Sequence, residues 1–225
     1  MIGFVGNLLV PKSIDSGLEG DLLPTVLINT ILIAIFGVSH TIMARPSFKE
    51  KINKIFGSAI ERSNYVLVTS LALMLIFSQW RPLNDTIWDL SGSVLGTVLF
   101  ALFWVGWVIV LLSTFMINHF DLFGLRQVYL NLKKKEYRHS SFTISYFYKF
   151  VRHPIMTGFI IAFWCTPIMT KGHLLFAVLM TIYMIVAVKY YEEKDLVDFH
   201  GDAYKEYQKQ VPMLLPVPGK MASKK

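Results

Sequence analysis

The chain has 225 residues, 54% of them hydrophobic, and a positive mean hydropathy, which excludes an ordinary soluble domain, where about 45–50% is usual. The formal net charge of +7 does not describe a nucleic-acid surface, because Lys and Arg fall in two blocks and a tail beside long apolar stretches, the arrangement of membrane topology. The lone Cys165 excludes an intramolecular disulfide and reads as a packed thiol, and no Cys/His spacing resembles a metal site, so no metal is expected.

Met1–Val10 is apolar but has no basic residue until Lys12, so no cleaved signal is expected. Leu22–Met43 carries no charge over a length that crosses ~30 Å of hydrocarbon, and is the first predicted span. Asn64–Trp80 is the second, with Tyr65 and Trp80 suited to an interfacial aromatic belt. Leu90–Phe120 is the third, with Gly92, Gly96 and Gly106 available for close helix contact. Pro154–Thr170 and His173–Val188 form a hairpin bent near Pro167 and supply the fourth and fifth. The predicted fold is therefore all-α: one polytopic membrane domain over residues 1–225 with about five transmembrane helices. Arg45, Lys49, Lys51, Lys54 and Arg62 follow the first span, and Arg126, Lys133, Lys134, Lys135, Arg138, Lys149 and Arg152 follow the third. Both segments are expected in the cytoplasm, with the N-terminus outside and the C-terminus inside.

Polar groups at span ends need a protein, water or ligand partner. His40, Asn118, His119, Asp121, Arg126, Gln127, Arg152, His153, Glu192 and Glu193 all lie at predicted cytoplasmic ends and could converge on one site. Each also has a plainer reading. His40 suits helix packing, and the run from Asn118 to Gln127 suits an exit loop among lipid headgroups. Lys133-Lys134-Lys135 reads as a solvated or lipid-phosphate-binding face. Arg152-His153-Pro154 with Gly158 opens a helix whose positive end can hold a carboxylate or phosphate, or simply punctuates a helix start. Glu192-Glu193 suits neither the topology nor a helix C-terminus; a ligand or Arg partner would offset that, and a solvated helix continuing to Phe199 is the alternative. Tyr204 and Tyr207, followed by Val211–Pro216, suggest an amphipathic cytoplasmic cap.

The order Arg152-His153-Pro154, Gly158, Glu192-Glu193, Gly201, Tyr204, Tyr207, Val211-Pro212 and Pro216 resembles the C-terminal signature of the isoprenylcysteine carboxyl methyltransferase superfamily. Ser39-His40-Thr41, Ala44-Arg45, the run from Asn118 to Gln127, Phe163-Trp164, Pro167 and Gly172-His173 look like its nurim-related branch and resemble the methanethiol S-methyltransferases of bacteria. The resemblance implies an enzyme of the bacterial inner membrane that uses S-adenosyl-L-methionine to methylate methanethiol, or another small thiol, to dimethyl sulfide. Its other implications are an isoprenylcysteine carboxyl or lipid methyltransferase, and a nurim-like protein without activity. It places the cofactor in residues 119–216, on Arg126, Gln127, Arg152, His153, Pro154, Gly158, Glu192, Glu193, Tyr204 and Tyr207. Methyl transfer to a thiol needs a thiolate, so His119 beside Asp121 is the first candidate for the catalytic base and His40 the second. A small thiol and membrane lipids are the expected partners, with neither nucleic acid nor a protein partner inferred.

Overall fold

The computed structural model describes residues 1–137 and 144–222. Arg138, counted among the basic residues after the third span, lies outside the described residues. The helices are α1 (Ile2–Gly6), α2 (Leu22–Ala44), α3 (Pro46–Phe56), α4 (Glu61–Gln79), α5 (Val94–Ile117), α6 (His119–Leu122), α7 (Leu125–Leu132), α8 (Pro154–Trp164), α9 (Lys171–Ala187), α10 (Glu193–His200) and α11 (Asp202–Gln210). A 3₁₀ turn spans Tyr146–Lys149, and a π-helical turn at Val188–Glu192 joins α9 to α10 in one continuous rod. Two short strands, β1 (Thr86–Asp89) and β2 (Ile168–Thr170), pair antiparallel with Thr86 opposite Thr170 and Asp89 opposite Ile168. The fold is thus mostly helical with a two-stranded ribbon that the all-α expectation omitted.

Among the described residues, three helical stretches, Leu22–Ala44, Val94–Ile117 and Lys171–His200, are long and apolar enough to cross a membrane. Helix α4 has 19 residues, but its first turn, Glu61-Arg62-Ser63-Asn64, is polar. Helix α8 has 11 residues and stops at Trp164, short of the predicted Thr170. Pro167 explains the stop: it has no N–H for a helical bond and forces Thr166 out of the α region, so the chain extends into β2. Helix α5 is likewise shorter than Leu90–Phe120. Ser93 Oγ caps its start by accepting from Gly96 N at 3.0 Å, and Asn118, at φ 136°, breaks it before His119.

Helix α2 packs on α4 and α9, and α5 packs on α8 along its length. The α5–α8 contact depends on two glycines. A Cβ on Gly106 would stand 2.7 Å from Gly158 O, and one on Gly158 would stand 2.7 Å from Gly106 O, so only backbone fits at the crossing. Gly92, also expected at a helix contact, belongs to the turn before α5, and Gly96, in the first turn of α5, packs against Leu90 O of that turn and not against another helix. At one end of the bundle Phe4, Val5 and Ile14 from the N-terminal arm pack with Trp80, Phe163 and Phe176. Trp80 is 0% exposed there, edge-on to Phe4 and Phe176, and does not join an interfacial belt. Leu27, Ile31, Ile35, Val38 and Ile42 of α2 stay uncovered, as suits a helix face solvated by lipid.

Candidate active site

The polar residues collect at the opposite end, where α8 begins. Arg152 N donates to Pro212 O at 2.9 Å and His153 N to Met213 O at 3.1 Å, so residues 211–216 strap across the start of α8. Thr157 Oγ1 donates to Leu214 O at 2.6 Å, and Tyr207 Oη to Tyr148 O at 2.5 Å. The amphipathic segment after α11 is therefore a cap on this end of the bundle. Pro154, at the first position of α8, leaves no backbone N–H in need of a partner there.

Glu193 is the hub beneath the strap. Its Oε1 accepts from Arg152 Nε at 2.9 Å, His153 Nε2 at 2.5 Å and Tyr204 Oη at 2.9 Å. Its Oε2 accepts from Arg152 Nη2 at 2.8 Å and Gln208 Nε2 at 2.5 Å. The remaining guanidinium nitrogen of Arg152 donates to the carbonyls of Gln208 and Val211. With five donors on two oxygens and 9% of the side chain exposed, Glu193 has no capacity left for a ligand. Burial disfavours the charge on His153, but hydrogen bonds and attraction from Glu192 and Glu193 outweigh it and raise its pKa to about 9. Burial and the Glu193 charge raise that of Tyr204.

Glu192 is different. Its side chain is 46% exposed, and its nearest partner is His153 Nδ1 at 3.5 Å. The π turn places it where α9 meets α10, facing the start of α8. It is an open carboxylate among converging elements. The continuing rod also removes one premise of the sequence reading: the two acids do not end a helix, and the π turn instead rotates Glu193 under the strap while Glu192 stays open. The Arg partner anticipated for this pair is Arg152.

The remaining candidates have partners of their own, and Arg62, stacked on Tyr65 and donating to Leu122 O at 2.7 Å, links the His40 pair to the α6 turn. His40 bonds across to α4, with Tyr65 Oη 2.6 Å from its Nε2 and Thr69 Oγ1 3.1 Å from its Nδ1, occupying both nitrogens. His119 is held by Thr114. The Thr114 hydroxyl gives its proton to Leu111 O at 2.7 Å and so accepts from His119 Nδ1–H at 2.8 Å, which leaves Nε2 as the unprotonated nitrogen of the neutral ring. Phe115 stacks on that ring at 4.3 Å, and Phe120 and Phe123 flank it. Asp121 does not orient His119; it pairs with Arg126 at 3.1 Å, while Gln127 Nε2 donates to Asp121 O at 3.2 Å. Ser145 Oγ donates to Met116 O at 3.5 Å, tying the turn that carries Tyr148 to the end of α5, three residues before His119. Gly158 is spent on the α5 crossing.

Sequence reasoning missed Tyr65 as the partner of His40, Tyr183 beside Thr41 at 3.3 Å, and Gln208. Gln208 was findable, since it follows Tyr204 by four residues and shares its helix face.

Comparison with known proteins covers nearly the whole chain. The model of the NnrU protein family matches residues 27–217. The methanethiol S-methyltransferase of Crocosphaera subtropica is 51% identical over 97% of this chain and 86% of its own length. That of Mycobacterium tuberculosis is 48% identical over 96% and 88%. The chain belongs to the NnrU family, on its methanethiol S-methyltransferase branch. Nurim of Bos taurus is 28% identical over 69% of the chain and 62% of its own length, which bears out the nurim-related resemblance of this branch. No solved structure matches the chain.

Proposed function

We propose that this protein of the methanethiol S-methyltransferase branch methylates methanethiol, or another small thiol, to its methyl thioether with S-adenosylmethionine as donor. The observation that carries the site is the contrast between saturated Glu193 and open Glu192. The donor's amino and ribose hydroxyl groups need acceptors, and an exposed carboxylate surrounded by protein fits them. Glu192 would hold those groups, with Arg152, His153, Glu193, Tyr204 and Tyr207 keeping it in place. When bound, the cofactor supplies an electrophilic methyl group on a sulfonium. The chain's task is alignment, water exclusion and thiol deprotonation. His119, with Nδ1–H anchored on Thr114 and Nε2 as its unprotonated nitrogen, would take the thiol proton, and the bound cofactor would supply the methyl group to the resulting thiolate. Phe115, Phe120 and Phe123 give a small apolar thiol an apolar approach to that nitrogen.

The reading includes five crossings of the bacterial inner membrane, with the N-terminus outside and the cap in the cytoplasm. Two features support it. Eleven helical residues in α8 plus an extended run to Thr170 reach roughly 35 Å, enough to cross. The basic residues around α3 and α7 also share an end with Glu193's partners, opposite the N-terminal arm. In a Cys165→Ser background, cysteines at Lys134 and Asp85 should be labelled from the inside and the outside respectively; the reverse pattern contradicts the orientation.

Purified protein supplied with methyl-labelled cofactor and a panel of acceptors tests the activity. Label in a volatile thioether supports it, whereas label in an isoprenylcysteine ester or a lipid amine overturns the acceptor class. Cofactor binding without transfer to any acceptor favours a non-enzymatic protein.

A further inference from the structure

An open cavity of about 490 Å³, whose lining does not include Glu192, lies between α3, the first turn of α4, the end of α5 and the α6–α7 turn. Its walls carry positive charge and buried acceptors. Lys49, Arg62 and Lys135 bring positive charge; Lys49 lies 3.9 Å from Glu61 on the same wall, and Arg62 donates through Nε to Leu122 O at 2.7 Å, which leaves its two terminal nitrogens for an oxyanion. Among the described residues, Asn53 Oδ1, Asp121 Oδ1 and Gln127 Oε1 are buried acceptors with no hydrogen-bond partner. The amide of Gln127 cannot be turned to remove the deficit, since its Nε2 is committed to Asp121 O at 3.2 Å. The other oxygen of Asp121 is committed to Arg126 at 3.1 Å. Tyr137, on the same wall beside Asp121 and Gln127, has one hydroxyl proton to set against three acceptors. A buried acceptor left unpaired costs about 1–3 kcal/mol, so a ligand with several N–H donors removes a standing penalty.

The complement to these walls is a primary ammonium joined by a short linker to an oxyanion. Helix α7 indicates where such a molecule comes from. Gln127 and Asn131, one turn apart, line the cavity, while Leu125, Val128, Tyr129 and Leu132 on the rest of the helix stay exposed. A short helix with a polar face on a cavity and an uncovered apolar face suits the plane of a membrane interface, where headgroups lie. We propose that the cavity binds the headgroup of a phospholipid carrying a primary ammonium, with the ammonium against Asn53, Asp121 and Gln127 and the phosphate against Lys49, Arg62 and Lys135. Choline offers no N–H donors to those acceptors, and a glycerol headgroup offers no positive charge to Asp121.

Native mass spectrometry of the full chain in detergent tests this with dioleoyl phosphatidylethanolamine, phosphatidylcholine and phosphatidylglycerol. The ethanolamine lipid should bind at least about tenfold more tightly than the other two. Asp121→Asn and, separately, Lys135→Ala should each reduce that preference, with unfolding temperature recorded to show that the variants are folded. Glu192→Gln should leave it unchanged. Equal affinity for the three lipids overturns the proposal. So does displacement of the lipid by S-adenosylmethionine, which would give the cavity to the methyl donor, or by free phosphoethanolamine at matching affinity, which would make the ligand a soluble one.

Discussion

Glu193 receives Nε and Nη2 of the Arg152 guanidinium, at 2.9 and 2.8 Å, and so clamps the start of α8 to the start of α10. Removing one partner of a buried, hydrogen-bonded ion pair costs about 3–5 kcal/mol, because the other charge is left uncompensated. Glu193→Ala should therefore lower the unfolding temperature markedly. Glu192→Gln, which removes only the longer of the two His153 contacts, should cost much less stability than Glu193→Ala and weaken S-adenosylmethionine binding about tenfold or more, the scale of a lost charged hydrogen bond. Thermal unfolding and calorimetric titration of both variants check the division of labour. A stable Glu193→Ala protein, or unchanged cofactor affinity in Glu192→Gln, contradicts it.

His153 gives the fold a pH dependence of defined sign. Its folded pKa of about 9 lies above the ordinary value of about 6.5, so its charged pairing with the two glutamates stabilises the protein fully below pH 6.5. That contribution is lost as pH rises through about 9. The unfolding temperature of wild type should fall between pH 6.5 and 9.5, with a smaller fall in His153→Asn. Identical slopes for the two proteins would remove His153 as the source.

The crossing of α5 and α8 has room for backbone alone. Gly158→Leu should separate the helices, destabilising the protein by about 1–3 kcal/mol or more, while Gly158→Ala should show a smaller loss of the same kind. Both are read from unfolding in detergent. Wild-type stability in the leucine variant would mean that the helices do not approach as described.

Much of this was legible in the sequence, for identifiable reasons. Long uncharged runs reported α2, α5 and α9, because a missing charge is visible residue by residue. The Arg152-His153 and Glu192-Glu193 pairs were visible because charges beside apolar spans demand partners. What stayed hidden depends on three-dimensional register. The sequence cannot show that a π turn places Glu193 under the strap and leaves Glu192 open. Nor does the proximity of His119 and Asp121 in the chain reveal that Thr114 and Arg126 are their partners. Trp80 looked like a belt residue because nothing local announces that the N-terminal arm folds back over it.

His119 separates base catalysis from cofactor binding. Loss of a general base typically lowers rate 10²–10⁴-fold, so His119→Ala should depress turnover by that order and leave cofactor affinity near wild type. The deficit should shrink as pH rises and more thiol ionises unaided. His40→Ala, which removes a side chain bonded at both nitrogens, should act chiefly on binding and stability. A wild-type rate in His119→Ala across the whole pH range removes it from the mechanism.

The most direct test of thiol methylation is headspace gas chromatography of purified protein given methanethiol and S-adenosylmethionine. The proposed function predicts dimethyl sulfide rising with time and enzyme, absent without cofactor, and strongly reduced in Glu192→Gln at a cofactor concentration that saturates wild type only. No dimethyl sulfide from folded, cofactor-binding wild-type protein would contradict it.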